Sequence, residues 1–272
     1  MSLAGLRADF SLARVAALCL RQVYLLRSSW PRTLEMMYFP AVQMVTWGFL
    51  QHYIGQTSGV AALAAGTLIG AMLLWDILFR AQLGFSMSFL EEVWARNLGN
   101  LLMSPLKPAE FVAGLMAMSL IRLLVGMVPV TLLAIAFFGF NLWSLGFALA
   151  AFFANLILMS WTVGLVVSGL VLRHGLGAES LAWTVMFVLL PFACVYYPVS
   201  QLPGWLQPLS WLLPPTYVFE GMRALLIEGV FRADLMAWAL ALNVLAITAG
   251  VGVFLLMMRR AREAGSLLQT GE

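Results

Sequence analysis

Residues 111–172 read FVAGLMAMSLIRLLVGMVPVTLLAIAFFGFNLWSLGFALAAFFANLILMSWTVGLVVSGLVL, and Arg122 is the only charge among these 62 residues. An α-helix rises 1.5 Å per residue, so the stretch reaches about three times the roughly 30 Å hydrocarbon core of a bilayer. One crossing cannot use that length, whereas two crossings and a tight turn can. Gly139-Phe140-Asn141-Leu142-Trp143-Ser144 supplies the small and polar residues of the turn. The segment therefore predicts two spans, at about 109–138 and 144–172.

The rest of the chain agrees. Hydrophobic residues make up 62% and charged residues 10% of the 272, where a soluble domain carries roughly 25% charged residues. The composition predicts an all-α, polytopic membrane protein with one transmembrane domain over residues 1–272 and no soluble domain of its own. Lys107 is the sole lysine, and the arginines sit at the ends of apolar runs rather than in a basic patch, so no nucleic-acid partner is expected. Cys19 and Cys194 lie far apart, so neither a disulfide nor a metal site is expected. Arg7, Arg14 and Arg21 interrupt any apolar signal-peptide core, which argues against a cleavable leader.

Outward from the hairpin, six spans are expected. Residues 1–30 read as an amphipathic helix in the plane of the cytoplasmic interface, because Arg7, Arg14 and Arg21 recur every seven residues near one face. Met36 to Trp75 carries no charge and is divided by a polar break around Gln51–Ser58, giving spans at about 33–53 and 60–88. The second of these runs on into Glu91, Glu92 and Arg96, expected in water or the headgroups. A short helix stopped by Pro105 and Pro108 follows, within 89–107. Span five is expected at about 180–199 and span six at about 236–258. Between them, residues 198–222 hold Pro198, Pro203, Pro208, Pro214 and Pro215, too dense for one helix yet too apolar for an ordinary loop. Short helices that dip into the membrane and return satisfy both facts, a re-entrant segment.

Placing both termini in the cytoplasm puts Arg7, Arg14, Arg21, Arg27, Arg32, Arg96, Lys107, Arg173, Arg259, Arg260 and Arg262 inside, with only Arg223 and Arg232 outside. That asymmetry obeys the positive-inside rule.

The chemistry of hydrolysis is missing. Lys107 is followed by proline, so no G-x-x-x-x-G-K-[ST] phosphate loop exists, and His52 and His174 are too far apart for H-E-x-x-H. No catalytic residue and no cofactor is expected in the chain itself; uphill transport would need an ion gradient or another subunit.

Two runs carry a resemblance. FLEEVWARNLGNLLMSPL, Phe89 to Leu106, resembles the segment after the second span of ABC-2 type transporter permeases, where an acidic, arginine-containing stretch precedes an (S/T)-P-L end. YPVSQLPGWLQ from Tyr197, leading to PPTYVFEGMR from Pro214, resembles the family's second signature before the last span. The resemblance implies a half-transporter in a bacterial inner membrane: two copies pair, and each docks a separate ATP-binding subunit that holds ATP and Mg. It implies export of an amphipathic or hydrophobic cargo such as a drug, lipid or glycan. It also implies that the segment after span two is the coupling helix, with Glu91, Glu92, Arg96, Asn97 and Asn100 as candidate contacts. Solvated loop residues would be the plainer role for these side chains.

Asp76 and Arg80 stand at i and i+4 within span two, where a charge costs about 2.5–3.5 kcal/mol and wants a partner or a wet cavity. With Arg122 they form the candidate translocation path; a purely structural ion pair, or Arg80 reaching toward the interface, fits the same pattern. An ion-coupled secondary transporter would use Asp76 instead, although such folds commonly carry more spans and inverted repeats. Tyr197, Pro198, Trp205, Trp211, Tyr217, Glu220 and Arg223 are the candidate outer gate, with interfacial anchoring the alternative for the aromatics. Gly66 and Gly70 form G-x-x-x-G, a weak signal for close helix approach.

Overall fold

The computed structural model describes residues 10–58 and 66–263, and all regular structure among them is helical. Ten α-helices follow in order: α1 Leu12–Arg27, α2 Trp30–Ser58, α3 Thr67–Trp94, α4 Leu98–Met103, α5 Pro108–Phe138, α6 Phe147–His174, α7 Leu181–Phe192, α8 Gln207–Trp211, α9 Pro214–Glu228 and α10 Ala233–Glu263. Helix α3 is central and buried along nearly all its length, with α5 and α6 on either side, α2 against α5, and α10 against α6.

The hairpin that decides the class folds as its sequence demands. Pro108 begins α5, where a missing N–H costs nothing. Gly139 ends the helix at φ 64°, a left-handed conformation that glycine adopts freely. Asn141 then accepts a hydrogen bond from the Trp143 amide at 3.0 Å. Gly146, at φ 54°, launches α6.

Among the described residues, four helices are long and apolar enough to cross a membrane: α3, α5, α6 with the turn after it, and α10. Helix α2 has the length, with 29 residues, but it is interrupted by Pro40 and carries Glu35, Gln43, Gln51, His52 and Gln56. Helix α7 has only 12 residues, about 18 Å of rise. The span expected at 180–199 therefore ends earlier, at Phe192, where the chain turns through Cys194 at φ 52°. Beyond it the proline-rich stretch is broken into the five-residue α8 and the start of α9 at Pro214, which continues to Glu228.

Three expectations are corrected. Glu91 and Glu92 are buried at 7% and 0% exposure, not in water or headgroups, because α3 continues to Trp94 and turns both carboxylates toward cations. The basic face of α1 also points inward: Arg14 and Arg21 pair with protein carboxylates, while Leu12, Leu20 and Tyr24 are exposed. Arg7 lies outside the described residues. Gly66 precedes α3 in a left-handed conformation, so only Gly70 lies in the helix, packed near Leu226 and Met222.

Close helix contacts rest on small residues and hydroxyls. A Cβ on Gly114 would meet Leu18 at 2.5 Å, so that glycine seats α1 on α5. Ser160 donates to the Leu78 carbonyl at 2.9 Å, tying α6 to α3, and Asn243 donates to Asn155 at 3.0 Å, tying α10 to α6. Such bonds contribute about 0.6 kcal/mol each on average where no water competes.

Candidate functional site

The end of α3 is a joint of charges. Glu92 accepts from Arg21, from Gln22 Nε2 at 2.8 Å and from Asn97 Nδ2 at 2.9 Å. One helical position earlier, Glu91 accepts from Arg122 Nη2 at 2.6 Å. The same nitrogen reaches Gln22 Oε1 at 3.2 Å. Gln22 thus bridges the two ion pairs and joins α1, α3 and α5 in one hydrogen-bonded network. Burial makes it consequential, since a low-dielectric setting strengthens satisfied bonds and penalises missing ones. Nε of Arg122 is buried without an acceptor.

A second clamp fixes the far end of α1. Glu110 is fully buried and accepts from Arg14 Nε at 2.8 Å and Arg14 Nη2 at 2.6 Å. It also accepts from the Ser11 and Lys107 amides at 2.8 and 2.9 Å. Each bond to a charged group contributes roughly 1.5–3 kcal/mol. Glu110→Ala is expected to release α1, raising the initial rate of tryptic cleavage after Arg14 and Arg21 at least about tenfold. An unchanged rate would mean that α1 is held elsewhere.

Past the joint, the chain bends at Ala95–Asn97, with Arg96 at φ 51°, before the short helix α4. The short helix expected within 89–107 is thus Leu98–Met103, and it meets α3 at a strained residue. Arg96 and Asn100 are exposed, as is Met103 at 77%, while Asn97 turns back to Glu92. Trp94 braces the bend from the other side, donating to Glu179 at 3.0 Å.

Toward the middle of α3 lies the predicted pair. Arg80 Nε donates to Asp76 at 2.6 Å, and Arg80 Nη1 donates to the Met36 carbonyl at 2.6 Å. That carbonyl is free because residue 40, its partner in a regular helix, is proline and has no N–H. Gly126 makes room for the contact: a Cβ there would lie 2.9 Å from the Met36 oxygen and 3.2 Å from Arg80 Nη1.

Asp76, Arg80, Glu91 and Arg122 all line one cavity of about 480 Å³ between α2, α3, α5 and α7. Its other walls are largely aromatic and apolar. Arg122 does not join the Asp76–Arg80 pair directly; it pairs with Glu91, which lies beyond Arg80 on α3 by about 16 Å of helix rise.

The outer candidates form two groups. Val199 N donates to Glu220 at 2.7 Å, and Arg223 Nη1 donates to the Cys194 and Val195 carbonyls at 3.0 and 3.2 Å. Glu220 and Arg223, themselves 3.1 Å apart, therefore staple the turn after α7 to α9 beside Pro198. Tyr197 donates to the Pro191 carbonyl at 2.8 Å. Trp211 and Tyr217 meet edge to face, with ring centres 4.8 Å apart. Trp205 is 77% exposed and joins neither group.

Gln22, Glu110 and the Met36 carbonyl were not singled out from sequence. Pro108 followed by Glu110 is a readable helix start. The role of Gln22 had no signal beyond a lone amide in an apolar helix.

A model of the family described as ABC-2 type transporter matches residues 14–227, more than half of the chain. No curated protein matches it.

Proposed function

We propose, from the premise that this chain belongs to the ABC-2 type transporter family, that it is the permease subunit of an ATP-driven exporter. Two copies pair in a bacterial inner membrane, and each docks a separate ATP-binding subunit. Each copy crosses six times with both termini in the cytoplasm, α2 and α7 completing the four long apolar spans. Helix α1 lies at the cytoplasmic interface, and residues 198–222 dip into the outer side. Cargo is an amphipathic or hydrophobic molecule such as a drug, lipid or glycan.

The observation that carries this reading is the continuity of α3. One unbroken helix holds Asp76 and Arg80 in the cavity wall and Glu91 and Glu92 in the charged joint, and the bend at Ala95–Asn97, pinned by Asn97 on Glu92 and Trp94 on Glu179, joins it to α4. A push on α4 crosses that pinned bend and is then carried to the cavity by α3 as a rigid rod. Within this mechanism Arg96, Asn100 and Met103 meet the ATPase, while Glu91, Glu92 and Asn97 hold the bend that presents them. ATP binding draws the two ATPase subunits together, and α3 moves the Asp76–Arg80 wall, opening the path outward past the Glu220–Arg223 staple.

The test is co-expression with a P-loop ATPase encoded beside this chain, followed by purification and reconstitution. The two proteins are expected to co-purify, with ATP hydrolysis that depends on the permease and falls several-fold in Met103→Asp. Cargo movement driven by a proton gradient, with this chain alone and no nucleotide, would overturn the proposal in favour of ion coupling through Asp76.

A further inference from the structure

Among the described residues, one acid in the cavity wall has no ion-pair partner. Arg80 is matched by Asp76 and Arg122 by Glu91, each at 2.6 Å. Glu35, on α2, also lines the cavity, is exposed, and has no hydrogen-bond or ion partner among the described residues. Among the described residues that line the cavity, three carboxylates thus stand against two guanidiniums. Five aromatic side chains, Phe39, Phe79, Trp94, Trp183 and Phe187, line the same cavity. Phe79 and Phe187 stand 6.0 Å apart and tilted by 58°, so they present faces and edges to the same space. Aromatic faces are negative and attract cations within about 6 Å. The unmatched Nε of Arg122 is a single N–H on a side chain whose charge is already neutralised, so a neutral oxygen suits it, and it does not invite a second anion.

We infer that the cavity selects amphipathic organic cations: an ammonium or phosphonium centre facing Glu35 and the aromatic rings, on an apolar body that fills the remaining space. A volume of about 480 Å³ suits a drug-sized molecule and excludes a polymer held whole. An anionic amphiphile of the same body would meet Glu35, Asp76 and Glu91 with both arginines already occupied. This rests on the transport reading for the direction of movement, though not for binding, which needs only this chain.

The experiment uses two ions of one shape and opposite charge, tetraphenylphosphonium and tetraphenylborate. Binding to the purified full chain in lipid nanodiscs is followed by quenching of tryptophan fluorescence, with empty discs subtracted. The phosphonium is expected to bind saturably, with affinity reduced about five- to tenfold in Glu35→Gln, restored in Glu35→Asp, and weakened by salt. Because Glu35 is exposed, both variants keep the fold, which a thermal melt verifies. Tetraphenylborate binding as tightly as the phosphonium, or an unchanged phosphonium affinity in Glu35→Gln, would overturn the inference. Either result leaves ATPase-dependent transport standing, whereas phosphonium binding without ATPase coupling removes the transport reading and keeps the site.

Discussion

Arg122→Leu is expected to be the most destabilising single substitution in the charged joint, and adding Glu91→Leu to it is expected to restore most of the loss. Arg122 is 7% exposed and Glu91 equally so, with their charges 2.6 Å apart. Removing the guanidinium leaves a carboxylate inside the helix bundle without that cation, at a cost of about 3–5 kcal/mol. Against a total stability of roughly 5–15 kcal/mol, this is a large fraction. Removing both charges puts apolar groups where an ion pair stood, which is often neutral or stabilising. It also eliminates the buried Nε that lacks an acceptor, a donor that costs about 1–3 kcal/mol while unmet. Thermal unfolding of the four proteins in the cycle, in one detergent, reads the coupling directly. If the double variant melts below Arg122→Leu, the pair is not the unit described here.

Gly126→Leu should separate α2 from α5 and disable the cavity. A Cβ alone at this position sits 2.9 Å from the Met36 carbonyl oxygen, a backbone atom that cannot rotate away. Overpacking a tight contact costs typically 1–3 kcal/mol, and here it also breaks the 2.6 Å bond that Arg80 donates to that carbonyl. Phosphonium binding and ATP-driven transport are expected to fall at least about tenfold, with Gly126→Ala intermediate. Gly252 is the control: a Cβ on that residue of α10 meets nothing within 4 Å. Gly252→Ala is expected to leave binding unchanged and to raise the melting temperature slightly, because glycine in a helix costs about 1 kcal/mol relative to alanine. Equal losses from both substitutions would mean that neither reports on the cavity.

The two pairs differ in how far sequence could reach them. Asp76 and Arg80 are four apart on one helix, so spacing alone places them together. Glu91 and Arg122 are 31 residues apart, Gln22 and Glu92 are 70, and Arg14 and Glu110 are 96. A heptad of arginines in α1 identifies a face without saying what that face meets. Interfacial lipid and buried carboxylates both satisfy such a face, and the fold supplied carboxylates. Glu91 and Glu92 were expected in water for a related reason. A span's end is read from where charge begins, and that reading fails when the first charges are neutralised inside the protein.

Amino-acid order alone determined that this chain is a helical membrane protein, where its long apolar hairpin turns, and that its family is that of ABC-2 transporters. Those properties follow from local quantities: run length against bilayer thickness, glycine and proline at helix ends, and short contiguous motifs. Tertiary structure decided which carboxylate meets which arginine, that the carbonyl left free by Pro40 receives Arg80, and that Glu35 lines the cavity with no ion partner among the described residues. Each of those depends on side chains from separate helices arriving at one place, and helical periodicity names a residue's face without naming its neighbour.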